Sequence, residues 1–505
     1  MLTYETIRSV YRTCRGVVLP LLLLCSSSIS LAQGRIQAPV AREKFTRLTS
    51  YDTLQAYLRV LSGLPGIRVE RIARTAQGRD VCCAFLSRSP RFGEDTTKLR
   101  VLLFAQQHGD EPSGKEALTL LLASAANHEL DEILSRIDLL VVPQMNPDGA
   151  ELRQRRISGG LDLNRDHLLL SSPETRGLHD LFAAWWPEVT LDVHEYGPFS
   201  RAWSDSGILK AADVQLGMLT NLNSAESLRK FEREVVFPRI HSSMRDSGYL
   251  FHEYLVGSPE DYIRFSTTEP NDGRQSFGIL NTLSFIQEGR GGQTLEDRLE
   301  RRSRSQRAAI EALLSFCSAH AVEIQALVRG ARESLCHMAG MQAVLCMDHF
   351  AGGTTLQIPV ISTPSGRDTV WLVHPLRDRV SSLWSREIPS AYVIPREFDE
   401  LREILERHHV TGESVKVPRK ENVSVYVIEG VQPDTLEDEW HPKPTLRSVT
   451  RTQELKAGDF VVRTDQRHSL FLAILLEPES MWGIVKYPAF NSLMQSKEYP
   501  ILRIP

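Results

Sequence analysis

Residues 99–106 read LRVLLFAQ, and one residue further on the chain reaches His108-Gly109-Asp110-Glu111. A largely apolar run of that length is what a strand buried on both faces of a sheet requires. The next segment, 112–127, opens on Pro112 and sets Ala117, Leu118, Leu121 and Leu122 on one side, which predicts a helix. Residues 137–144 (IDLLVVPQ) read as strand, 173–185 as helix, 189–193 as strand and 280–287 (LNTLSFIQ) as strand. A long charged helix follows, from Thr294 to about Arg329. Strand and helix alternating in this way predict an α/β sheet covered on both faces. Beyond about Met338 the texture changes. Short β-rich runs at 354–361, 391–394, 423–428 and 460–463 surround one helix at 397–408. That predicts a smaller β-rich C-terminal domain, 336–505, after a first domain of 33–335.

The composition is that of a globular chain: 505 residues, 42% hydrophobic and 24% charged, with ordinary Gly and Pro usage. A net charge of −4 argues against nucleic acid as the main partner, because neutralising phosphates needs a basic patch. The N-terminus reads as a signal peptide, 1–32. Arg8, Arg12 and Arg15 precede the apolar run 16–24, and Ser30-Leu31-Ala32 supplies small residues at a cleavage site after Ala32. No other segment approaches membrane-spanning length, so a secreted or periplasmic protein with no span after cleavage is expected. Its loss leaves a charge of −6 and five cysteines, Cys82, Cys83, Cys317, Cys336 and Cys346. Oxidising surroundings permit one bridge among them, and the odd count leaves a thiol unpaired. Cys82 and Cys83 should face opposite sides of a strand.

Ligands gather at the carboxyl ends of strands in open α/β sheets. The first strand runs into His108 and Glu111, and the strand 189–193 into His194. Two imidazoles and a carboxylate with a fourth position open to water form a catalytic zinc set. Taken by itself, His-x-x-Glu is equally what a structural turn shows. The strand 280–287 ends in Glu288 ahead of Gly289-Arg290-Gly291-Gly292. Beside an activated water that carboxylate can take a proton and return it to a leaving amine; capping or a salt bridge is the other reading. Asn146-Pro147-Asp148-Gly149 precedes Arg153, Arg155 and Arg156, then Asp162-Leu163-Asn164-Arg165-Asp166. Guanidinium and amide groups clustered in this way suit carboxylate recognition, although pairing with surface acids also explains them.

These motifs together resemble the carboxypeptidase A-type zinc metallopeptidases, in a bacterial secreted subgroup. NPDG, then R-x(8)-N-R with DLNRD, lie between HGDE and DVHE, with a strand-end Glu after them and Gln77-Gly78-Arg79 upstream. The resemblance runs from about Thr46 to Gln325. It implies a three-layer α/β sandwich with a mixed, mostly parallel sheet. It implies one Zn²⁺ per chain on His108, Glu111 and His194, and Asp162 hydrogen-bonded to the far nitrogen of His108. Asn164 and Arg165 would clamp the free carboxylate of a peptide substrate. Arg155 would polarise the scissile carbonyl, with Arg153 and Arg156 as neighbouring contenders. Glu288 would be general base and then acid, hydrolysing the C-terminal bond.

Relatives carry a Tyr on the loop before the catalytic Glu. Tyr262 is the candidate here, while Ser276 and Phe277 lie near where some bacterial relatives place it. Arg290 either contacts substrate or braces its turn. His167, His252, His408 and His409 complete no ligand set and read as structural or surface residues. Two other functions fit the same residues: an exported zinc amidase acting on cell-wall peptides or N-acyl amino acids, and a non-catalytic binder of C-terminal carboxylates.

Overall fold

Eight strands form the central sheet of the computed structural model, which describes residues 35–436 and 439–505. In chain order they are β1 (Ile67–Arg74), β2 (Asp80–Leu86), β3 (Leu99–Ala105), β4 (Ile137–Val142), β5 (Val189–Tyr196), β6 (Val214–Gly217), β7 (Phe251–Glu253) and β8 (Leu283–Arg290). Their spatial order is β1-β2-β4-β3-β5-β8-β6-β7. The four central strands β4, β3, β5 and β8 are parallel. The edges are antiparallel, β2 against β4 on one side and β6 against β8 on the other. The predicted signal peptide lies outside the described residues.

Pleating explains the uninterrupted apolar runs. Val101, Leu103 and Ala105 of β3 face one core and Leu102 and Phe104 face another. The first core is roofed by α1 (Tyr51–Ser62), α2 (Pro112–Ala126) and, further along the chain, the pair Leu299–Ala319 and Ala321–Leu335. The second is closed by α3 (Pro173–Trp185) and the short helix α4 (Gly273–Gly278), where Phe277 stacks on Phe182 at 4.3 Å between ring centres. Helix, sheet and helix make three layers, as expected. Pro112 and Pro173 each occupy a first turn, where their missing N–H costs nothing, and the Ser172 side chain caps α3 through the Thr175 N–H.

Several boundaries differ from the sequence reading. The single long helix expected from Thr294 is two helices, α5 (Leu299–Ala319) and α6 (Ala321–Leu335), meeting at 84°. His320 leaves helical geometry there, and the turn lets Ile324 and Val328 reach the core. Among the described residues no single helix is long and apolar enough to cross a membrane. Strands β5 and β8 run on past 193 and 287 to Tyr196 and Arg290, because β8 is paired on both sides and its ladder extends. His194 and Glu288 are therefore side by side inside the sheet rather than on loops. Cys82 and Cys83 do face opposite cores, and all five described cysteines are free thiols.

The C-terminal region contributes further sheets. One of six strands contains Ala391–Ile394 and the long hairpin Arg419–Leu436 with Glu439–Leu455. Two pairings cross the expected boundary at 335. Leu356–Ser362 pairs with Ile208–Lys210, and Leu376–Arg377 with Ile263–Phe265. A small core of Trp203, Leu255, Ile263, Phe265, Ile358, Val360, Val373 and Leu376 joins them.

Phe277 is fully buried and contacts Phe104 as well as Phe182. Replacing it by Ala should destabilise the fold by about 3–5 kcal/mol, the cost of a large buried cavity, read as a shift in the denaturant midpoint.

Candidate metal centre and substrate cleft

The loop leaving β3 is held by the NPDG turn. Asn146 accepts from the Gly149 N–H at 2.7 Å and donates to the carbonyls of Gln107 (3.1 Å) and Arg155 (3.2 Å). One amide thus ties together the segments carrying His108 and Arg155. Gly109 is obligatory at this junction, since a Cβ there would lie 2.1 Å from the Gly149 carbonyl carbon. Asp148 is fastened in turn by Thr75 (3.0 Å) and Arg79 (2.7 Å) from the upstream Gly78-Arg79 turn.

Three donor atoms converge at the end of the parallel strands. His108 Nδ1 lies 2.7 Å from Glu111 Oε1, His194 Nδ1 2.9 Å from Glu111 Oε2, and the two Nδ1 atoms 3.1 Å from each other. The outer nitrogens face carboxylates: His108 Nε2 is 3.1 Å from Asp162 Oδ1 and His194 Nε2 is 2.8 Å from Asp192 Oδ1. The Asp162 bond assigns the His108 ring proton to Nε2 and turns its Nδ1 lone pair inward; at His194 Nε2 the Asn164 amide nitrogen also stands close, at 3.4 Å. Two imidazole nitrogens and a carboxylate so converge on one point, within reach of a single cation. The donor set therefore fits a divalent metal, and nitrogen with oxygen donors suits zinc. Burial disfavours charge on both imidazoles. Glu111 and Asp162 around His108, and Asp192 and Glu111 around His194, outweigh it and lift both above the ordinary histidine value. Burial likewise opposes charge on Glu111, but the two imidazoles hold its carboxyl well below the usual range.

A cleft of about 340 Å³ opens on His108 and Glu111. Glu288 and Arg155 line it with Asn164 and Arg165. Burial pushes Glu288 up to about 7, with His194 acting against the rise. Arg155 is positioned by Asp162 (Nε to Oδ2, 3.0 Å) and reaches Glu111 Oε1 at 3.5 Å. Arg153 instead pairs with Glu296 at 2.7 Å, and Arg156 donates to the Gly160 carbonyl; neither lines the cleft. Asn164 Oδ1 accepts from Gly273 N (2.8 Å) and Gln107 Nε2 (3.2 Å), and Arg165 lies 3.3 Å from Glu269. Arg290 falls outside this lining, on a separate surface hollow with Asp213 and Arg301.

Tyr262 stacks under the Arg377 guanidinium, 3.5 Å from the ring centre, and is not among the cleft residues. Ser276 and Phe277 sit in α4, the first bonded to the Gly273 carbonyl and the second in the core. Two tyrosines line the cleft, Tyr196 and Tyr254, and the sequence reading missed both. The phenol of Tyr254 is buried, and burial together with the charge of Glu288 raises it well above the ordinary tyrosine value. The available signal was its position directly after β7, where its N–H continues the ladder to the Leu216 carbonyl.

His167, read as structural, belongs to a buried chain behind the centre. Its Nε2 meets Gln107 Oε1 at 2.8 Å, and Gln107 donates at 2.8 Å to Asp192, the partner of His194. Burial pushes His167 down to about 3, so the ring is neutral. His408 bonds the Leu168 carbonyl, His409 pairs with Asp180, and His252 faces the Glu253 carbonyl.

Known proteins are similar to this chain. Residues 54–206 match the family described as zinc carboxypeptidase. Carboxypeptidase 2 of Trichophyton tonsurans is 25% identical over 464 residues, covering 85% of this chain and 81% of its own. Among solved structures, a metallo-carboxypeptidase from Burkholderia cenocepacia is 20% identical with a TM-score of 0.43, covering 55% of this chain and 71% of its own. One from Pseudomonas aeruginosa, solved with (2-guanidinoethylmercapto)succinic acid, is 22% identical with a TM-score of 0.42, covering 55% and 71%. The matched segment is thus similar to a zinc carboxypeptidase domain, and the chain is a hydrolase of peptide bonds.

Removing the Asp162 carboxylate should loosen the metal without removing a ligand. Asp162→Ala is expected to weaken zinc retention roughly 10- to 100-fold, measured by competition with a chromogenic chelator.

Proposed function

We propose that the protein is an exported, single-zinc carboxypeptidase that removes the C-terminal residue of peptides, with His108, Glu111 and His194 as the metal ligands. The observation that carries the reading is that His108 and Glu111 of this donor set line one cleft with Glu288, Arg155 and the Asn164–Arg165 pair. Zinc on that donor set would supply Lewis-acid activation of water and of the scissile carbonyl.

The chain's own groups do the rest. Arg165 and Asn164 hold the substrate's terminal carboxylate, and this ion pair confines cleavage to the last peptide bond. Arg155, braced by Asp162, faces the carbonyl oxygen and stabilises the negative charge that develops on it. Glu288 accepts a proton from the attacking water and passes it to the departing amine nitrogen. A carboxyl group pushed up to about 7 suits both halves of that transfer near neutral pH. Tyr254 shares the cleft wall with Glu288 and limits the space around its carboxylate. Residues 1–32 would direct export and be removed after Ala32, leaving Gln33 as the first residue of the mature chain.

Glu288→Gln keeps the shape of the side chain but cannot take a proton. Turnover of a C-terminally free peptide should fall at least about 10²- to 10⁴-fold while the metal content by elemental analysis stays at one zinc per chain. Loss of zinc from that variant would assign Glu288 to the metal instead. Amidating the peptide's C-terminus should abolish cleavage by the unaltered enzyme, measured as product by mass spectrometry, because Arg165 then has no carboxylate to hold.

A further inference from the structure

One cation in the cleft wall has no part in the reading above. Lys210 closes the short strand Ile208–Lys210, in register with Val360, and its side chain is more than nine-tenths buried while lining the cleft. Its ammonium donates to the Leu255 carbonyl at 2.9 Å and lies 4.8 Å from the centre of the Trp203 ring and 5.6 Å from that of Tyr196. Among the described residues no carboxylate stands within ion-pair distance of it. An ammonium has three protons to donate, and the Leu255 carbonyl takes one. A buried cation without a counter-ion is costly, and the cost is recovered when an anion enters beside it. Burial pushes the ammonium down to about 8, and the charge of Glu288 opposes that fall, so it is mostly protonated at neutral pH.

The sheet register gives its place along the substrate. Strands β5 and β8 set His194 beside Glu288 and Tyr196 beside Arg290, whereas β6 sets Gly217 beside Ile286. Gly217 packs on Arg274, which pairs with Asp272 at 3.0 Å, and Gly273 bonds Asn164. The carboxylate clamp thus lies toward the Ile286 end of the cleft. Tyr196, Trp203 and Lys210 lie toward the Arg290 end, with Glu288 between. A peptide with its terminal carboxylate on Asn164 and Arg165, and its scissile bond beside Glu288, runs its preceding residue past Tyr196 toward Lys210.

We propose that Lys210 is a specificity-determining residue, whose ammonium between the Trp203 and Tyr196 rings selects substrates with an acidic side chain, Asp or Glu, at the penultimate position. This rests on the carboxypeptidase reading, and a paired comparison separates the two. The zinc-loaded full chain is given peptides differing only by Glu or Gln at the penultimate position, and a second set differing only by Glu or Gln at the terminal one. The unaltered enzyme should prefer penultimate Glu by roughly ten- to a hundredfold in kcat/KM, the range of a charge-assisted hydrogen bond. Lys210→Met should bring that ratio near one, and Lys210→Arg should restore part of it. Because the readout is a ratio within one protein, it does not depend on how much of a variant folds. A penultimate ratio near one in the unaltered enzyme, a preference confined to the terminal position, or a ratio that survives Lys210→Met overturns the assignment. Absence of cleavage of every peptide overturns the carboxypeptidase reading and this inference with it.

Discussion

The site depends on a convergence of donor atoms that the fold enforces. His108 and Glu111 come from the loop after β3 and His194 from β5; the outer nitrogen of His108 is bonded to Asp162, and that of His194 lies 2.8 Å from Asp192. The donor atoms of the three residues lie within 4.8 Å of one another, a spacing that one divalent ion can bridge. These carboxylates are themselves held: Asp192 by Gln107, which the buried His167 meets in turn, and Asp162 by Arg155 and the Asn164 N–H. The group that orients a ligand therefore also sets the guanidinium meant for the substrate, and metal binding and substrate polarisation are not independent.

Much of this was legible in the sequence wherever the determinants are local. The runs 99–106 and 137–144 carry their burial in their composition, and both became central strands. The motif residues around His108, Glu111, Asp162, Asn164, His194 and Glu288 lie at strand ends or in the turns just beyond, where side-chain identity alone suggests chemistry. What failed was non-local. The extent of β5 and β8 depends on partners further along the chain, so their ends were placed too early. The break at His320 follows from where the core lies, and the charged, uniformly helical sequence around it gives no sign of the bend. Tyr254 escaped notice because distance along the chain from Glu288 is a poor guide when the intervening loop is folded by pairing with a distant segment.

Lys210 illustrates the same limit more sharply. In sequence it is one lysine in a loop-like stretch between β5 and β6. Its burial comes from Leu356–Ser362, whose Val360 pairs with it, and from the shared core under Trp203 and Leu255. No periodicity or motif near residue 210 could announce a buried ammonium, because the strand that buries it arrives far down the chain.

That strand exchange couples the two halves of the polypeptide in a way a domain diagram would hide. A shortened protein ending at residue 335 would keep every proposed ligand, yet Trp203, Leu255, Ile263 and Phe265 would be stripped of the apolar partners that seat them. The rim of the cleft would be left as loose loops around an intact metal centre. Selectivity, rather than the capacity for hydrolysis, is what such an excision would be expected to erase.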